Sequence, residues 1–177
     1  MGVTVNGRER LYRGRVFEMF RENVTLDNGV VADLDLIRHP GAAAMVPMPD
    51  PETVILVRQY RHAVGGYIWE IPAGTLEPGE DPLAGARREL AEETGFAAEK
   101  WESLGEIVPV PGYADECVHL FLAEALRPAR QSLDADEVLA VHALPLARVL
   151  EMGDTGEIRD AKTLCALYRF VRRRGRV

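Results

Sequence analysis

Gly74-Thr75-Leu76-Glu77-Pro78-Gly79-Glu80-Asp81-Pro82-Leu83-Ala84-Gly85-Ala86-Arg87-Arg88-Glu89-Leu90-Ala91-Glu92-Glu93-Thr94-Gly95-Phe96 is the stretch around which this chain is organised. Its second half reads as a helix with punctuation at both ends. Asp81 is a good N-cap, Pro82 suits the first helical position because an N–H there would have no partner, and Gly95 can take the left-handed conformation that stops a helix. Leu83, Ala86 and Leu90 recur at helical spacing and define a buried face. Glu89, Glu92 and Glu93 stand at i, i+3 and i+4, with roughly 5–6 Å between neighbouring Cβ atoms. Like charges at that spacing repel, so a chain that keeps three together, with Glu80 entering from the preceding loop, needs something positive among them. Carboxylate oxygens without His or Cys are the ligand set of hard cations such as Mg²⁺ or Mn²⁺, not of zinc.

Taken alone, a Glu-rich helix is more often a solvated acidic face, with Arg87 and Arg88 as ordinary salt-bridge partners. The spacing decides against that reading. The stretch satisfies G-x5-E-x7-R-E-U-x-E-E-x-G-U, with U apolar, at Gly74, Glu80, Arg88, Glu89, Leu90, Glu92, Glu93, Gly95 and Phe96. With average residue usage, a chance match in a chain of this length is on the order of one in ten million. The pattern resembles the Nudix box, and the chain is similar to Nudix hydrolases, whose loop–helix–loop binds divalent metal and hydrolyses a nucleoside diphosphate linked to another group. The resemblance implies Glu89 and Glu93 as main metal ligands, with Glu92 and Glu80 as further or water-mediated ones. It adds the Ala73 carbonyl as a backbone ligand and Arg88 as the residue that orients the carboxylates. It also implies the fold: α/β, a Nudix α/β/α sandwich with a mixed β-sheet, plus an N-terminal antiparallel β subdomain.

Composition sets wider bounds. A chain of 177 residues with 47% hydrophobic residues suits one domain with a small accessory region and can bury an ordinary core. Lys plus Arg number 21 against 28 Asp plus Glu, a net charge of −7, which argues against general nucleic-acid binding. Two cysteines, Cys117 and Cys165, are too few for a disulfide framework and suggest a reducing cytoplasm. No basic region followed by an apolar core opens the chain, and no apolar run approaches ~18 residues, so neither secretion nor membrane spanning is expected.

Residues 1–40 read as antiparallel strands. Leu11–Phe20 and Arg21–Leu26 are rich in strand formers, Asp27-Asn28-Gly29 signals a tight turn, and Ala32–Leu36 alternates with period two. Such a meander is marginal in water unless it packs on something. ADP-ribose pyrophosphatases of the Nudix family carry a region like it and use it to form an intertwined homodimer, so the resemblance implies a dimerising subdomain over 1–40 and a hydrolase domain over 41–177. His39-Pro40-Gly41 marks the boundary. Beyond it, Ala42–Val46 begins a new strand, and Val54–Val57 reads as a strand covered on both faces.

The segment Arg58-Gln59-Tyr60-Arg61 follows, then Trp69-Glu70-Ile71-Pro72-Ala73-Gly74. Arginines just after a buried strand are well sited to meet phosphates bidentately, though a surface salt bridge is the plainer role. The segment resembles the phosphate-contacting part of ADP-ribose pyrophosphatases, which favours Arg61 for substrate binding, with Arg58 and Glu70 behind it; Trp69 is expected in the core. Trp101–Val108 reads as a strand and Pro109–Glu116 as a loop. Pro111-Gly112-Tyr113-Ala114-Asp115-Glu116 resembles the substrate loop of the same group, making Gly112 and Glu116 candidates. Val118–Ala125 is the next strand, with His119 expected as a satisfied core residue. The acidic cluster Asp134-Ala135-Asp136-Glu137 would ordinarily be solvated; its family counterpart supplies a general base, for which Glu137 is the choice. Val138–Leu144 reads as the last strand, and Pro145–Met152 and Ala161–Arg174 as helices.

The resemblance implies metal-dependent hydrolysis of a nucleoside diphosphate sugar, with Glu137, Glu92 and Arg88 carrying the chemistry. ADP-ribose, split to AMP and ribose 5-phosphate, is the substrate the resemblance favours. Another nucleotide sugar such as GDP-mannose is the nearer alternative, and a non-catalytic nucleotide sensor the more distant one. Serine chemistry has little to stand on: Ser103 and Ser132 are the only serines, and neither has a histidine at a useful spacing.

Overall fold

The computed structural model describes residues 2–175, which fall into two compact units. One unit runs up to Gly41 and includes Val108–Cys117. Its strands β1 (Thr4–Arg13), β2 (Glu18–Thr25) and β3 (Val31–Arg38) form an antiparallel sheet in the order β1-β2-β3. The Asp27-Asn28-Gly29 turn lies where its residue types place it, with Gly29 at φ 83°. Leu11–Phe20 is not one strand, however. Gly14 donates its N–H to the Phe17 carbonyl at 2.9 Å and turns the chain, and β1 begins earlier, at Thr4. Polar residues in Thr4–Arg10 hid that strand, because both of its faces are exposed and nothing selects an apolar alternation. Val108–Cys117 is stitched to β3: Ile37 donates to the Tyr113 carbonyl at 2.7 Å and accepts from Asp115 N–H at 3.2 Å. The Asp115 carboxylate also accepts from Arg38 at 3.0 Å and from the His39 N–H at 2.9 Å.

The second unit comprises Ala42–Ile107 and the chain from Val118 onward. Strands β4 (Ala42–Met48), β7 (Ala73–Thr75), β8 (Phe96–Ile107) and β9 (Val118–Pro128) form a sheet in the order β7-β4-β9-β8. The β4–β9 pair is parallel and its flanking pairs are antiparallel, which makes the sheet mixed. Strands β5 (Thr53–Arg61), β6 (Gly66–Glu70) and β10 (Leu139–Pro145) form a second, antiparallel sheet, ordered β10-β5-β6.

Alternation along β4 and β9 explains the layering. Ala42, Ala44, Val46 and Met48, with Val118, Leu120 and Leu122, face a core closed by helix α2 (Leu146–Asp154) through Val149 and Met152. Helix α3 (Ala161–Arg173) closes the same core through Ala166, Leu167 and Phe170. Ala43, Met45, Phe121 and Ala123 face the other way, onto Ala86 and Leu90 of helix α1 (Pro82–Thr94). Both faces of the central strands are therefore covered, as their unbroken apolar runs require, and the unit is an α/β/α sandwich. Trp69 packs partly buried against the larger core, as expected, and the partly buried His119 lies 3.7 Å from Glu106.

Candidate active site

Helix α1 begins and ends where its capping residues dictate. Asp81 accepts a hydrogen bond from the Ala84 N–H at 3.0 Å, Pro82 is the first helical residue, and Gly95 adopts φ 72°. The exposed carbonyls of its last turn are met by the segment after β9: Gln131 Nε2 donates to the Glu93 carbonyl at 2.7 Å, and Ser132 N–H to the Glu92 carbonyl at 3.0 Å. Nothing local in the sequence singles out Gln131, because its partner lies 38 residues earlier in the chain.

The buried face of α1 is not purely apolar. Glu89 and Glu93 fall at the spacing of Ala86 and Leu90, and all four are buried. Glu93 is 1% exposed, and its Oε2 accepts from the Ala73 N–H at 2.9 Å. Among the described residues no cation contacts it directly, although Arg61 attracts it at longer range. Burial pushes the Glu93 carboxyl up to about 8, with Glu89 and Glu137 adding repulsion against the Ala73 hydrogen bond. Burial likewise raises Glu89, opposed by its contacts with Arg88. Gly74 makes this packing possible: a Cβ there would lie 1.9 Å from the Glu89 carboxyl carbon.

Arg88 is the hub of the cluster. Its Nε and Nη2 donate to the two oxygens of Glu80 at 3.0 Å each, and its Nη1 donates to Glu89 at 2.6 Å and Glu92 at 3.0 Å. Nη2 also reaches the Thr75 carbonyl at 3.2 Å. The guanidinium is thereby held more firmly protonated than usual, first by its bond to Glu80, and Glu80 is held below the usual carboxylate range, first by its bond to Arg88. With Arg88 among them, no three of the box carboxylates converge within 4.8 Å of one another among the described residues. The donor set still suits a hard divalent cation. It consists of oxygens alone, two of its carboxyls are buried against mutual repulsion, and a glycine is required at the point of closest approach. An ion held by Glu89 and Glu93 would take Glu89 from Arg88.

The remaining candidates fall into separate places. Arg61 Nη2 and Nε donate to Glu70 Oε2 at 2.7 and 3.1 Å, and Glu70 is itself buried. Lys162 Nζ lies 3.1 Å from the other Glu70 oxygen and 3.1 Å from Asp160 Oδ1. Neither Lys162 nor Asp160 is marked in the sequence, beyond Asp160 preceding a helix. Arg58 does not join Arg61. Period two along β5 puts it on the opposite face, where it stacks over Tyr67 at 5.6 Å and Trp69 at 5.8 Å. Glu137 acts electrostatically on both Glu89 and Glu93, and its carboxylate accepts from the Asp134 N–H at 3.0 Å. Gly112 and Glu116 belong to the other unit, where Glu116 lies 3.9 Å from His39 Nδ1.

Comparison with known proteins bears on the family and the fold. The NUDIX domain family matches residues 38–167. An ADP-ribose pyrophosphatase of Bacillus subtilis (strain 168) is 40% identical over 162 residues, covering 90% of this chain and 88% of its own length. A methanol dehydrogenase activator of Bacillus methanolicus is 38% identical over 161 residues, covering 90% and 87%. A crystal structure of an ADP compounds hydrolase superposes with a TM-score of 0.86 at 25% identity, covering 100% of this chain and 98% of that one. With the box intact at every position, its helix in place and the family match spanning most of its length, the chain belongs to the Nudix hydrolases.

Proposed function

We propose that this protein hydrolyses the diphosphate bond of a nucleoside diphosphate sugar, ADP-ribose above all, releasing AMP and ribose 5-phosphate. The observation that carries the reading is the pair of buried carboxylates, Glu89 and Glu93, on the inner face of α1 beside Gly74. Burying two like charges side by side is unfavourable; Arg88 meets Glu89 but no cation bonds directly to Glu93 among the described residues, and such a site is suited to receive one. Glu89 and Glu93 would hold it, with the Ala73 carbonyl and Glu92; Glu80, whose oxygens already accept from Arg88 and the Glu77 N–H, would act through water. A bound Mg²⁺ or Mn²⁺ supplies charge neutralisation for the diphosphate and acidity for a water molecule.

The chain's own groups do the rest. Arg61 offers donors to a non-bridging phosphate oxygen, and Arg88 keeps the carboxylates in register. Glu137 leaves Asp134 to take a proton from the attacking water, whose oxygen forms the new bond to phosphorus as the bridging P–O bond breaks. Relatives named for ADP-ribose hydrolysis support the choice of substrate. The uncovered surface of the N-terminal sheet supports a homodimer: every residue of β1 is exposed, as are Val16, Phe17, Val31 and Leu34. An assay of ADP-ribose, GDP-mannose and other nucleotide sugars with Mg²⁺ tests the reading. ADP-ribose is expected to have the highest kcat/KM, and Glu137→Gln to lower kcat about a hundredfold or more. A clear preference for GDP-mannose, or tight binding without hydrolysis, would overturn the substrate assignment.

A further inference from the structure

The Glu70 side chain is 4% exposed and is held through both of its oxygens. Oε2 accepts from Arg61, while Oε1 faces Lys162 Nζ at 3.1 Å. Arg61 spends two of its donor groups on this contact, and among the described residues its Nη1 donates to none. Lys162 stands in the first turn of α3, the end of a helix where a cation is electrostatically disfavoured, whereas Arg172 and Arg173 occupy the favourable end. Its position is therefore set by Glu70 and Asp160 and not by the helix. The same turn is bolted to the same strand end a second time. Ile71 N–H donates to the fully buried Thr163 Oγ1 at 2.8 Å, and Thr163 Oγ1 in turn donates to the capping Asp160 at 2.5 Å. Two residues further on, the Ala73 N–H meets Glu93.

We infer that Lys162 is a positioning residue for the substrate's diphosphate, acting through Glu70 and Arg61. By holding one Glu70 oxygen, it fixes the other against Arg61 and aims the free Nη1 donors of that guanidinium outward. It also keeps Glu70 compensated when Arg61 turns part of its charge to a phosphate. A buried carboxylate whose single cation was shared with an anionic substrate would resist binding, and a second cation removes that resistance. A single cation at this place serves Glu70 and Asp160 together. This inference rests on the role of Arg61 in the function proposed above.

The test measures KM and kcat for the preferred nucleotide sugar, at saturating Mg²⁺, in wild type, Lys162→Met, Lys162→Arg, Arg61→Ala and the double variant Arg61→Ala/Lys162→Met. Lys162→Met is expected to raise KM about tenfold with little change in kcat, Lys162→Arg to restore most of it, and Lys162→Met to add nothing once Arg61 is gone. An equal rise in KM in both backgrounds, a change confined to kcat, or no rescue by arginine would overturn the inference. If Lys162→Met does not fold, Glu70→Gln/Lys162→Met removes both partners of that pair; a raised KM is expected there, and a wild-type KM would overturn the inference. A wild-type KM in Arg61→Ala alone would instead remove the role of Arg61 itself, before any change at Lys162 is considered.

Discussion

At the scale of the residue, Glu93 carries the conflict on which the proposed chemistry rests. Its carboxyl has an ordinary pKa of 4.5 and is held at about 8 in the fold, by burial first and by the neighbouring Glu89 and Glu137 after it. The fold therefore favours the protonated form. The stability this contributes is fully present below the unfolded value and is lost as the pH rises through the folded one, at up to about 1.4 kcal/mol per pH unit. In metal-free protein, thermal melts should show Glu93→Gln gaining on wild type between about pH 5 and pH 8. A constant difference across that range would mean that Glu93 is not protonated by its surroundings. Excess Mg²⁺ should reverse the order at the upper end, because the ion stabilises only the charged carboxylate.

At the scale of the element, α1 shows why some features are legible in the sequence and others are not. Replacing Asp81 by Ala removes the acceptor for the Ala84 N–H and should cost about 1 kcal/mol of stability by chemical denaturation, with a smaller effect on turnover at full occupancy of the fold. No loss of stability would show that the helix start is set by packing alone. The limits of α1 can be read from Asp81, Pro82 and Gly95 because capping is local chemistry. Its acidic side, proposed to face a metal, can be read because Glu89, Glu92 and Glu93 share one helix. The support around it cannot. Gln131 reaches Glu93 from beyond β9, and Lys162 reaches Glu70 from α3. Such pairings exist only once the chain has closed on itself. Arg58 carries the opposite lesson: its sequence neighbourhood is that of Arg61, yet the pleat of β5 sends the two side chains to different faces.

At the scale of the whole molecule, the sandwich of α1, sheet and α2 with α3 follows from strands that are apolar on both faces. The N-terminal sheet has no such pattern, and the start of its first strand, residues 4–10, is unmarked in the sequence for that reason. Its exposed apolar side chains predict association, so sedimentation should give a species of twice the 19.6 kDa chain mass; a 19.6 kDa species at micromolar concentration would refute the dimer. The central claim is that Glu89 and Glu93 are gathered to hold a divalent cation against a diphosphate. The measurement that tests it most directly is calorimetric titration of Mg²⁺, with turnover in parallel, on wild type, Glu89→Gln and Glu93→Gln. The account predicts that both variants stay folded, bind Mg²⁺ far more weakly and lose turnover by at least about a hundredfold. Either variant binding Mg²⁺ and turning over as wild type does would contradict it.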